Sequence, residues 1–462
     1  MRARPLLLCL SALGLLSTQA YGAARARLGG TLSLGLVGLG PPSADAAEDT
    51  PEALSARALL ALPLCRLVPD AVSVLASVGR EASAGGEVLV TPLPGARFPD
   101  GTALSARDVA EAVQRLREAH SPYQSLLAPV AGLQDSLEAA ARHPEAPLRL
   151  RLAYPWPDLE SSLCHPAFTP TRPGAQGTPG VGVGLYARGP EGRFLAGRGA
   201  PGGPPFPGAL AFSALPSRGA QRLLQRGEVH AVLGESSGKE ASALLFATYL
   251  VYRPGSLPEG VLSALSEVDL AGLVRTFVAG PAVAMPGLLP PGLLDAGPAP
   301  SPQKSRAAPA TGHGFTLGYE SGLPEQRAVA ERLQVVLHDA GYRVRLLGET
   351  RAGLLRARLA GQLEAALVSV LVPPVPAPAL ALVLGLTLDT GLLAAELPAL
   401  GALSDATARA ARVRARAAEL QPQLPLVPLY ARGLRVQLSE ALLAARRDGF
   451  GLLVLDDAWL AR

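Results

Sequence analysis

Residues able to do nucleophilic, acid–base or metal chemistry are few and scattered in this chain. Its six histidines are His120, His143, His165, His230, His313 and His338. None stands at a zinc-ligand spacing from Cys, Asp or Glu. Cys164 and His165 are adjacent, which sets a thiol beside an imidazole along the chain. Neighbouring side chains point apart, however, and a nucleophile and its base normally meet through the fold. Gly182-Val183-Gly184 lacks the third glycine and the following helix of a dinucleotide-binding turn. These residues give no basis for an enzyme, a cofactor or a metal site. Chemistry here is expected to be binding.

The elements that must position a binding site begin behind an export signal. Arg2 and Arg4 precede an apolar run from Leu6 to Leu16, and Ala20-Tyr21-Gly22 offers small residues for cleavage after Gly22. Residues 1–22 are therefore read as a signal peptide, too short in its apolar part to span a bilayer, which needs about 20 residues. Cys9 lies inside the apolar run rather than after it, so a lipoprotein is not expected. The mature chain is expected in the periplasm, where disulfides persist. Cys65 and Cys164 could be bridged there, or be two separately buried thiols; spacing does not decide.

With 462 residues the chain exceeds one hydrophobic core. Its 50 Gly and 44 Pro fall short of the share that marks disorder, and point to many punctuated loops. A formal net charge of +4, with no basic patch interleaved with aromatics, gives no reason to expect a nucleic-acid partner. Alternation predicts strands at residues 29–36, 87–91, 148–154, 209–212 and 229–233. Residues 37–56 read as loop, and Ala58 to Val78 as helix-like around Pro63 and Pro69. Ser105 and Asp108 form a capping-box pair ahead of Val109, Ala112, Val113 and Leu116, which share one helical face. A strand, helix and strand between 209 and 233 predict a parallel crossover. A second α/β unit follows: strands at 315–320, 342–346 and 365–372, helices at 324–340 and 354–363. Ala296 to Gly312, rich in Ala, Pro and Ser, reads as a surface loop.

The run Gly95-Ala96-Arg97-Phe98-Pro99-Asp100-Gly101-Thr102-Ala103-Leu104-Ser105-Ala106-Arg107-Asp108-Val109 resembles the signature of extracytoplasmic solute-binding protein family 5, the dipeptide, oligopeptide and nickel binders of ABC importers. Gly29-Gly30-Thr31-Leu32, Gly180 to Tyr186, Gly227 to His230, Gly287 to Gly292, Tyr319 to Gly341 and Leu424 to Tyr430 resemble further family landmarks in the family's order. The resemblance implies a two-lobed α/β periplasmic-binding-protein-like fold (class II, cluster C type) with its ligand cleft between the lobes. It implies lobe I at 23–250, rejoined by 431–462, and lobe II at 251–430, with hinges near Tyr249 to Arg253 and Pro428 to Arg432. It further implies a monomer that closes on a peptide-like or other small organic solute and delivers it to an inner-membrane ABC permease.

The chain departs from the family where a peptide's charged ends would be held. Where peptide binders place an aspartate-bearing segment, this chain has Leu371-Val372-Pro373-Pro374-Val375-Pro376-Ala377-Pro378, without acid or aromatic. Where dipeptide binders place an arginine, Glu320 aligns. Buried charges left without partners cost several kcal/mol, so an ordinary dipeptide is poorly served. Tyr252, Arg253, Tyr319, Glu320, Tyr430 and Arg432 are the candidate ligand contacts, because they flank the expected hinges and the first strand of lobe II. A degenerate relative acting as a sensor or partner-binding protein is the alternative.

Overall fold

The computed structural model describes residues 29–37, 50–68, 70–80, 86–172, 181–216, 218–234, 243–278, 280–293 and 314–461. The expected signal peptide, 1–22, and the expected surface loop, 296–312, lie outside these residues. Two six-stranded sheets organise the chain. In the first, Thr31–Val37 runs between Ala209–Ala214 and Ala231–Gly234 and is parallel to both. The crossover unit thus exists, with the first strand of the chain inserted between its two strands. Val436–Leu438 closes one edge of this sheet antiparallel. A four-stranded antiparallel sheet (Ala76–Arg80, Glu87–Pro92, Leu148–Leu152, Val130–Ala131) packs with it in one core.

In the second sheet the order is Ala282–Ala284, Leu426–Arg432, Phe246–Tyr252, Ala365–Leu371, Gly314–Glu320, Arg343–Glu349. Phe246–Tyr252 and Leu426–Arg432 belong wholly to this sheet. The expected boundary at 250/251 therefore falls inside a strand of this sheet. Helix Pro324–Asp339 buries Val329, Leu333 and Leu337 against the sheet. It buries Val336 only partly, because that residue sits at the margin of the stripe.

Three helices, Pro376–Gly385, Thr390–Gly401 and Ala406–Leu420, follow the second sheet in sequence but share the first lobe's core. Pro376–Gly385 is apolar all round, with every residue from Ala377 to Gly385 buried, as expected for a helix enclosed on all sides. Gly385 allows its approach to the Pro122–Leu127 turn: a Cβ there would stand 2.5 Å from the Ser125 side chain.

Local departures from the sequence reading are physical. Residues 51–56, read as loop, and 58–60, read as helix-like, belong to one helix, Pro51–Leu60, started by the Thr50 cap and by Pro51 in the first turn. The stretch read as helix around Pro63 and Pro69 forms strands Cys65–Val68, Asp70–Ser73 and Ala76–Arg80, consistent with its β-branched residues and its prolines. Cys65 and Cys164 are joined by a disulfide.

Candidate functional site

The most recognisable motif proves structural. Asp100 accepts hydrogen bonds from the Thr102 backbone and hydroxyl at 2.9 and 2.6 Å, and Gly101 has φ +87°, a conformation that favours glycine. Ser105 and Asp108 complete the capping box. Arg172 then donates to Asp108 at 2.8 Å and lies 3.8 Å over the Phe98 ring. These polar contacts fix the entry of helix Ala106–Glu118.

The candidate site lies instead at one edge of the second sheet. The parallel strands Gly314–Glu320 and Ala365–Leu371 end there at Glu320 and Leu371. Antiparallel pairing brings Phe246 opposite both Leu371 and Arg432. The carboxyl ends of parallel strands are where open α/β sheets carry ligands. Glu320, 4% exposed, accepts from Arg351 at 3.1 Å, and Arg351 also donates to the Ser369 carbonyl at 2.7 Å. Gln326 bridges the Glu320 backbone N–H and the Ser369 hydroxyl, each at 2.8 Å. That hydroxyl also bonds Thr248 at 2.7 Å. Tyr430, wholly buried, pairs in register with Thr248, and burial pushes its phenol well above the usual range. Arg432 pairs with Glu52 of the first lobe and with Glu325 at 3.0 Å, and lies 5.0 Å over Phe246. Burial lowers its guanidinium to about 10, so it stays charged at neutral pH between two carboxylates.

First-lobe side chains also reach this edge. The Tyr123 hydroxyl accepts from the Leu371 N–H at 2.9 Å. His165 Nδ1 accepts from the Ala167 N–H at 3.1 Å, so its Nε2–H donates to the Leu371 carbonyl at 2.8 Å. Burial lowers this imidazole to about 3, which keeps it neutral between the rings of Tyr123 and Phe450. The adjacency of Cys164 and His165 is thus structural: the thiol is in a disulfide and both imidazole nitrogens are occupied.

Of the six residues picked from sequence, the structure gathers Glu320, Tyr430 and Arg432 at this edge, with Tyr319 half-buried next to Glu320 and packed on Gly348. It does not bring Tyr252 and Arg253 there. Phe246–Tyr252 runs antiparallel to its neighbours, so its start faces the first lobe and its end points away. Tyr252 pairs with Ala365 at the far edge, and exposed Arg253 bonds the Gly361 carbonyl. The sequence reading missed Glu52, Gln326, Arg351, Ser369, Tyr123 and His165. Each sits on a different element, and only the position of Arg351 just after the Thr350 cap gave a local cue.

A cavity of about 70 Å³ opens beside Glu320 and Arg351. Its walls include Ala119, His120 and Pro122 from the first lobe and Leu354, Leu355 and Arg358 from the second. It therefore straddles the boundary.

Neither a family model nor a curated protein sequence matches the chain. Solved structures do. The murein tripeptide binding protein MppA of Escherichia coli aligns with TM-score 0.72 at 15% identity, covering 95% of this chain and 99% of that one. NikA of Staphylococcus aureus, in complex with Ni(L-His)2, aligns at 0.67 and 13% identity, covering 94% and 100%. An unliganded open form of MppA aligns at only 0.55, with 15% identity and coverage of 95% and 99%. The chain has the two-lobed α/β fold of these solute-binding proteins.

Proposed function

We propose that the protein is a divergent, exported family 5 solute-binding component that closes its lobes on a small organic solute and offers the closed form to an ABC permease. The observation that carries this reading is the polar cluster at the sheet edge. Glu320, Gln326, Arg351, Ser369 and Arg432 come from five separate elements and meet where the lobes face each other, beside a cavity. As mere packing this arrangement is poor, because buried ion pairs stabilise less than apolar residues of similar volume. Binding is the function that such a cost supports. Closure follows when a solute contacts both lobes and so favours the closed population.

One observation favours the second reading, a sensor or partner-binding protein. Tyr123 and His165 already satisfy the Leu371 backbone, so the lobes hold each other there without a solute. Mass measured under native and then unfolding conditions separates the two. A reproducible extra mass that disappears on unfolding is expected for a solute-binding protein. Its absence, together with no thermal shift from a broad metabolite and peptide panel, would favour the second reading.

A further inference from the structure

We infer that the cavity between the lobes takes a small organic monoanion with an apolar tail, its acid group held by Arg358. This rests on the solute-binding reading and narrows its substrate class. The charged and titratable groups that face the cavity are Glu320, Arg351, Arg358 and His120. Glu320 and Arg351 neutralise each other at 3.1 Å. Arg358 donates to the Leu386 carbonyl at 2.7 Å, which uses one of its five donors. No carboxylate among the described residues pairs with it. Burial alone lowers this guanidinium to about 10, in keeping with the lack of a neighbouring acid. A largely desolvated cation without a counter-ion is costly, and an anion in the cavity would relieve that cost.

The remaining walls set the rest of the molecule. Pro122, Leu354, Leu355, Leu386 and Leu388 are apolar. The cavity of about 70 Å³ exceeds the roughly 10–15 Å³ that admits a single water, and its apolar walls suit a short alkyl chain. A dipeptide would bring an ammonium group, and the one carboxylate present, Glu320, is already engaged. The rim is conformationally special: His120 and Leu388 have φ of 47° and 63°. Such left-handed non-glycine residues cluster at ligand clamps.

The test is calorimetric titration of the whole mature protein with butanoate and hexanoate, against butan-1-ol, hexan-1-ol and butylamine. The acids are expected to bind, and the alcohols and amine to bind at least about tenfold more weakly, the loss of one charge-assisted hydrogen bond. Arg358→Gln should weaken acid binding by a similar factor, and Arg358→Lys should keep most of it. Should Arg358→Gln fail to fold, Leu355→Trp, which fills the cavity, must abolish binding of the acids. Equal binding of alcohol and acid, unchanged affinity in Arg358→Gln, or no binding of any acid would overturn the inference. A retained solute that proves cationic or a peptide would overturn it while leaving the solute-binding reading intact. No retained solute, together with no binding of any acid and no thermal shift from the metabolite and peptide panel, would remove both the inference and that reading.

Discussion

The boundary between the lobes is made of two unlike halves. Around Leu380 it is dry: helices Pro376–Gly385, Thr390–Gly401 and Ala406–Leu420 merge with the first lobe's core. The polar contacts in this half are few and fully engaged. Asp158 and Arg409 form a bidentate pair at 2.7 and 2.8 Å, with both side chains about nine-tenths buried. Around Glu320 the boundary is polar, with a cavity and the mostly buried ion pairs of Glu320 with Arg351 and of Arg432 with Glu52 and Glu325. Packed apolar cores have few alternative arrangements, whereas hydrogen-bonded charges at a water-accessible edge can exchange partners. On the proposed solute-binding reading, the dry half would act as a fixed joint and the polar half as the mouth that opens. The chain thus holds its lobes together at one place while keeping another free for a solute.

Breaking the fixed joint should cost stability, and the largest effect is expected from Asp158→Asn. It leaves Arg409 buried without a counter-charge, a loss of about 3–5 kcal/mol readable by denaturant unfolding. Gly401→Ala comes next. Its Cβ would fall 1.9 Å from the Pro155 carbonyl oxygen, and forcing the helix away should cost roughly 1–3 kcal/mol.

Acid should loosen the contact where the two halves meet. His165 is held at about 3 when folded, below its ordinary value near 6.5. Between these values the unfolded chain binds the extra proton and the folded chain does not. Stability is therefore fully present above about pH 6.5 and falls as the pH drops towards 3. Melting temperatures across that range should decline less steeply in His165→Gln, and an identical decline would remove His165 from the account. The smallest effect belongs to the polar half. Ser369→Ala removes the hydroxyl that links Thr248 and Gln326 and should cost about 0.5–1.5 kcal/mol, with a larger change in solute retention than in stability.

The sequence was legible where patterns are local. Alternation marked the strands around Leu34, Leu150 and Leu317, and the Ser105–Asp108 capping box is as expected from its spacing. It was illegible where direction or packing decides. Strand polarity is not written in Phe246–Tyr252, so Tyr252 and Arg253 were chosen when Phe246 is the end that faces the other lobe. Helix Pro51–Leu60 is buried on most sides, leaving no amphipathic stripe to find. Glu320 and Arg432 could be picked because the family resemblance put the first strand of lobe II and a hinge there. Their partners Arg351, Gln326 and Glu52 could not, since the fold alone brings those elements together.

The most direct test of a fixed joint beside an opening mouth is a spin-label distance across the mouth, between Glu118→Cys and Arg356→Cys, two exposed positions on opposite lobes. Protein emptied by reversible unfolding should give a longer, broader distribution than protein carrying its retained solute, while a pair across the Asp158–Arg409 joint stays unchanged. Identical distributions in the emptied and loaded protein would contradict the account.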